Sequence, residues 1–165
     1  EIRLSLVGSE MCIRDRYIPL LRPGCYVVHD HKLYAGAMDE VKERHADLQG
    51  ELLPALEVFA HVQSLPEPGL AIVALGKRDI GCDPDLPMPQ RLYREGQAPQ
   101  DVRGWGVRMI MDQHLFLSVP AGETLAVGDI ISFGTSHPCL TFDKWRQVLL
   151  VDEALDVVEV MPTCF

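Results

Sequence analysis

Apolar residues along this chain fall in short runs separated by glycine and proline, the texture of strands joined by turns rather than of long amphipathic helices. Residues 56–65 (LEVFAHVQSL) predict a mixed apolar strand, residues 66–69 (PEPG) a turn and residues 70–75 a second strand, together a hairpin. Further strands are expected at 107–111, 115–119, 128–133, 147–151 and 157–161, with a turn at 120–123. Between them, residues 76–106 carry Pro84, Pro87, Pro89 and Pro99 among several glycines, which predicts a long loop of the kind that often serves function.

Ahead of this β-rich part, Pro23 and Gly24 signal a turn, and Cys25, Tyr26, Val27 and Val28 predict a short buried strand. Residues 37–48 (AMDEVKERHADL) are helix formers, with Asp39 and Glu40 early and Arg44 and His45 late, as a helix dipole favours. They predict a short, largely exposed helix. About six or seven short strands with little helix make the expected class mainly β, a small barrel or sandwich. No repeat or low-complexity tract interrupts it.

The first residues, 1–16 (EIRLSLVGSEMCIRDR), show no helix or strand period and join abruptly to the pattern that begins at Tyr17. They resemble a recurrent translation of sequencing-adapter DNA and are set aside as non-native. The competing reading is a strand built on Ile2, Leu4, Leu6 and Val7.

Composition narrows the function. At 165 residues and 47% hydrophobic, the chain has room for one domain with a core, or a small domain and a remnant of another. Fifteen basic against 24 acidic residues leave a net charge of −9, which repels phosphate backbones and argues against nucleic acid or anionic membrane as partners. No apolar run reaches the roughly 18 to 20 residues of a membrane helix. Five scattered cysteines without a CxxC or a secretory leader suit reduced thiols in a cytoplasm.

Ser136-His137-Pro138-Cys139 follows the strand predicted at 128–133. In extended backbone, residues two apart share a face, so His137 and Cys139 could converge on one ion. Nitrogen with sulfur favours zinc over magnesium or calcium, and two ligands leave positions open for water or substrate. The alternative is a buried cysteine beside a hydrogen-bonded histidine. At Gly24-Cys25-Tyr26 a glycine allows close approach and successive amides could hold a phosphate, or the segment is an ordinary junction of loop and strand. His29, Asp30 and His31 alternate in a strand and read as a polar strand end; Lys77, Arg78 and Asp79 read as a solvated turn. Asp112, Gln113 and His114 suit either a ligand contact or a polar bulge.

In order, LRPGCY at 21–26, ALEVFAHVQS at 55–64, ALGKRDIGCDPDLPMP at 74–89, MDQHLFL at 111–117 and LAVGDIISFGTSHPCLTFDKW at 125–145 resemble the D-serine dehydratase and D-threonine aldolase family. The resemblance runs from Leu21 to the end. It implies an amino-terminal barrel like that of alanine racemase, which holds pyridoxal phosphate on a lysine, followed by a carboxy-terminal β domain. Residues 17–50 would then be the last strand and helix of that barrel, and 51–165 the β domain.

By the same resemblance, Gly24, Cys25 and Tyr26 fall at the cofactor phosphate, and His137 and Cys139 on the metal, expected to be zinc. The aldolase branch tends to carry aspartate where Cys139 stands, which tilts the expected reaction toward dehydration of a D-hydroxy-amino acid to a 2-oxo acid and ammonia. The cofactor lysine has no match here, since Lys32, Lys42, Lys77 and Lys144 do not fit its motif. No catalytic residue is therefore assigned within the chain, and the chain alone is expected to be inactive. A homodimer is implied for the full-length enzyme. Two other readings stay open, a metal-dependent aldolase yielding glycine and an aldehyde, and a metal-binding β module without catalysis.

Overall fold

The computed structural model describes residues 24–164. The readings made on residues 1–23, including the adapter-like start at 1–16 and the turn signal at Pro23, lie outside the described residues. Nine strands occur among the described residues: β1 (Glu57–Glu67), β2 (Leu70–Val73), β3 (Met88–Tyr93), β4 (Gln100–Asp101), β5 (Gly106–Ile110), β6 (Leu115–Ser118), β7 (Ile130–Gly134), β8 (Gln147–Val151) and β9 (Val157–Pro162). A 3-10 turn (Cys25–Val27), a helix α1 (Leu33–Arg44) and a one-turn helix α2 (Cys139–Phe142) accompany them.

Seven strands make one antiparallel sheet in the order β4-β3-β7-β1-β2-β6-β5. The sheet curls until β3 comes near β5, which encloses a core and gives the mainly β class expected from the sequence. The period-2 pattern of β1 explains its seat: Val58, Ala60 and Val62 face the core, while Phe59 and His61 stay exposed. β1 and β2 form the predicted hairpin, closed at Gly69, whose φ of +79° only glycine adopts without strain. In β7, flanked by β3 and β1, Ile131, Ser132, Phe133 and Gly134 are all buried.

Three expectations need correction. Residues 25–27 form a 3-10 turn, not a strand: among the described residues they find no ladder partner, and they close instead through the Val27 amide, which donates to the Gly24 carbonyl at 3.1 Å. The helix begins at Leu33, ahead of the expected Ala37, and ends at Arg44. Its early start comes from Asp30, whose carboxylate accepts from the amides of Lys32, Tyr34 and Ala35 at 3.0, 2.9 and 3.3 Å, outweighing the weak helix propensity of Gly36. Finally, the presumed loop at 76–106 contains β3 and β4. Proline hid β3: Pro89 has no amide to donate, and the β3–β7 register slips between Pro89 and Leu92 to accommodate it.

β8 and β9 pair as a separate hairpin near the carboxy end. Trp145 ties its entry to the rest of the molecule by donating from Nε1 to the Asp79 carbonyl at 2.7 Å. The hairpin is apolar yet exposed, with Leu149, Val157, Val158 and Val160 each half or more accessible.

Candidate metal centre

β7 delivers the chain into a buried stretch, Thr135 and Ser136, and then into α2. The loop is pinned from behind by Thr141, a buried hydroxyl that accepts from the Gly81 amide at 2.8 Å and so joins the 74–89 motif to the HPC motif. The backbone at His137 and Cys139 is not extended, as the spacing argument assumed. Residues 136–138 bend and Cys139 opens a helix, because the Thr141 and Phe142 amides turn back to the Pro138 carbonyl at 2.9 and 3.3 Å. The two side chains converge nonetheless.

The amino-terminal segment lies along this loop. The His31 amide donates to the Thr135 carbonyl at 3.0 Å, the Leu33 amide to the Ser136 carbonyl at 3.3 Å, and the Ala55 amide to the Val28 carbonyl at 2.8 Å. Gly134 is required here, since a Cβ on it would stand 2.3 Å from the His31 ring. This docking carries Cys25 to the HPC loop. Its Sγ lies 3.7 Å from Cys139 Sγ and 3.9 Å from either ring nitrogen of His137. The three ligand atoms lie within 4.8 Å of one another, and no other such His, Cys, Asp or Glu group occurs among the described residues.

The Tyr34 ring, on the first turn of α1, packs at 5.8 Å from the His137 ring and limits how it can turn. Burial and the neighbouring Cys139 push the Cys25 thiol above its ordinary range, and the charge of Cys25 in turn raises the Tyr34 phenol. A cation between the sulfurs would reverse that balance by favouring the thiolates. One imidazole and two thiols suit zinc; carboxylate and carbonyl donors, which magnesium and calcium prefer, are absent from the trio.

The other singled-out residues do different work. His29 and Asp30 are buried, with His29 at φ +52°, and Asp30 caps α1, so the reading of His29, Asp30 and His31 as a polar strand end is corrected. Lys77, Arg78 and Asp79 form a turn, with Lys77 and Arg78 exposed. Asp112, Gln113 and His114 are exposed in the β5–β6 turn, where Gly76 packs so tightly that a Cβ would meet the Asp112 carbonyl at 2.0 Å. Gly24 is exposed, and among the described residues nothing lies within 4 Å of where its side chain would stand.

The sequence reading used only the backbone of Cys25 and missed its side chain. Its partners lie 112 and 114 positions away, so no local spacing connects them. The ordered motifs hold two further cysteines, Cys25 and Cys82, and nothing in their spacing separates one from the other.

A curled antiparallel β domain that presents a Cys-His-Cys cluster at the end of a buried strand defines the class of this chain. Residues 55–151 match the family model described as "Putative serine dehydratase domain", and the chain belongs to that family. Among solved structures it is similar to the crystal structure of D-threonine aldolase from Filomicrobium marinum, with a TM-score of 0.56 and 23% identity over 68% of this chain. The match spans 28% of that protein's length. No curated protein matches the sequence significantly. Among the described residues no helix is long and apolar enough to cross a membrane.

Proposed function

We propose that this chain is the carboxy-terminal, metal-holding part of a pyridoxal-phosphate- and zinc-dependent D-serine or D-threonine dehydratase that releases a 2-oxo acid and ammonia. The observation that carries the reading is the convergence of His137 and Cys139 at the end of β7, in a member of this family. On this reading residues 17–50 belong to a cofactor-binding barrel and 51–165 to the β domain.

His137 and Cys139 would hold the metal, which when bound supplies Lewis-acid polarisation of the substrate's β-hydroxyl. Pyridoxal phosphate, when bound, supplies the electron sink for bond loss at Cα. Gly24, Cys25 and Tyr26 are proposed to meet its phosphate through their backbone, with no described residue within 4 Å of where a Gly24 side chain would stand. The remaining residues position: Thr141 and Gly81 fix the loop, Tyr34 fixes the His137 ring, and exposure of Cys139 leaves the site reachable by a small hydroxy-amino acid.

Cys139 favours dehydration over aldol cleavage, because the aldolase branch of the family tends to carry aspartate there and a cysteine resembles the zinc-dependent dehydratase branch. The exposed apolar β8–β9 hairpin supports a homodimer, or cover by the rest of the protein.

The test is to express the complete coding sequence and assay D-serine and D-threonine for 2-oxo acid and for glycine, with and without a chelator. Chelator-sensitive 2-oxo acid is expected. Glycine would assign the protein to aldol cleavage, and neither product would leave a metal-binding module.

A further inference from the structure

We propose that the Cys25 thiolate is a third protein ligand of the metal, completing a tripod of two sulfurs and one imidazole with His137 and Cys139. The proposal rests on the metal reading above and adds to it a side chain that no motif spacing assigns.

Distance is the first argument. On tetrahedral zinc, two sulfurs each about 2.3 Å from the ion stand about 3.8 Å apart, and a sulfur and an imidazole nitrogen about 3.6 Å apart. Cys25 Sγ and Cys139 Sγ are 3.7 Å apart, and Cys25 Sγ is 3.9 Å from either nitrogen of His137. The sulfur–sulfur spacing is that of two ligands on one ion, while a sulfur equidistant from both ring nitrogens faces neither lone pair, so the His137 ring turns to present one nitrogen as the ion binds.

Support of the three side chains is the second. Cys25 is held to the HPC loop by the backbone ladder from His31 and Leu33 to Thr135 and Ser136, with the His31 ring seated over Gly134. Cys139 and His137 are held by α2 and its Thr141–Gly81 bond. The three ligands therefore sit on two segments tied to one another by backbone hydrogen bonds, which holds them together before an ion arrives.

Charge is the third. Two thiolates neutralise a divalent cation, and the soft donors select zinc over magnesium, manganese or calcium. Three protein ligands leave one position of four for water or a substrate oxygen, as in catalytic zinc sites with two cysteines and one histidine. The ion would also clamp residues 25–33 to the β domain, making the docking of that segment metal-dependent.

X-ray absorption at the zinc edge of the chain loaded with one equivalent reads the ligand set without any substitution. Two sulfur scatterers and one imidazole are expected; one sulfur overturns the proposal. Loss of one ligand in Cys25→Ser should weaken zinc binding by more than the roughly 10- to 100-fold that loss of an outer partner costs. It should also remove about half of the sulfur-to-cobalt charge-transfer intensity in the cobalt-loaded protein. Affinity and spectrum unchanged in Cys25→Ser, with both lost in His137→Ala, would overturn the role of Cys25 and leave the two-ligand reading intact. A wild-type chain that binds neither metal overturns both.

Discussion

Cys25 Sγ and Cys139 Sγ lie 3.7 Å apart although 114 positions separate them, because two backbone hydrogen bonds lay the 31–33 segment along Thr135 and Ser136. Two thiols so placed, without a metal, should be the first pair lost to a mild oxidant. One hydrogen peroxide would convert them to one disulfide and two waters. Peptide mapping after peroxide treatment should recover a Cys25–Cys139 cross-link in the metal-free chain and little of it once zinc is bound. Equal cross-linking with and without zinc would mean that the ion does not sit between these sulfurs.

Gly134 and His31 form a tight junction, and either alone should be intolerant of change. Gly134→Ala places a methyl group 2.3 Å from the ring, which should cost about 1–3 kcal/mol by overpacking. The double variant His31→Ala with Gly134→Ala should recover part of that loss, a coupling on the order of 1 kcal/mol in denaturant melts. Strict additivity would show that the two residues do not share this space.

Asp30 is buried, and its carboxylate accepts from the amides of Lys32, Tyr34 and Ala35. Asp30→Ala should therefore lower stability by about 1–2 kcal/mol as a lost helix cap. Since Tyr34 packs on the His137 ring, zinc affinity should fall too, although Asp30 is not among the clustered ligands. Unchanged melting and unchanged affinity would remove Asp30 from both roles.

Arg94 and Asp129 make a two-pronged ion pair, Nε to Oδ1 at 2.9 Å and the terminal nitrogen to Oδ2 at 2.5 Å, with the Asp129 carboxylate nearly buried. The Arg94 guanidinium holds the Asp129 carboxyl below its ordinary 3.8. Its stabilisation is complete above that ordinary value and is lost as pH falls through the lower folded value. His31 acts in the same direction at higher pH. Burial depresses its imidazole below the ordinary 6.5 against the opposing pull of Glu57, so stability starts to fall below about 6.5 as the unfolded chain takes up the proton first. Denaturant midpoints from pH 8 to pH 3 should decline in two stages. Asp129→Asn should flatten the lower stage and cost about 1–3 kcal/mol at neutral pH; an unaltered profile would contradict the assignment.

The hairpin of β1 and β2, the later strands and the mainly β class were legible because alternation of apolar and polar side chains is a local signal, as at Val58, Ala60 and Val62. β3 was not legible, since Pro89 argued against a strand that in fact accommodates it through a register slip. The start of α1 was misplaced because the cap that creates it, Asp30, lies outside the helix and was read as part of a strand. At the candidate metal centre, the convergence of His137 and Cys139 was expected, but through an extended backbone that the structure replaces with a bend and a helix start. Cys25 was not, because its approach depends on tertiary docking of His31 over a glycine more than 100 positions away. Asp129, within the 125–145 motif, is the partner of Arg94 and the acceptor of the Ala126 amide at 2.8 Å.

The central claim, that the end of β7 holds a metal, is tested most directly by counting bound zinc. The chain, its His137→Ala variant and its Cys139→Ser variant would each be equilibrated with zinc, desalted and measured by elemental analysis alongside protein concentration. One zinc per wild-type chain and close to none in either variant is the predicted result. A wild-type chain that retains no zinc, or variants that retain as much as wild type, would contradict it.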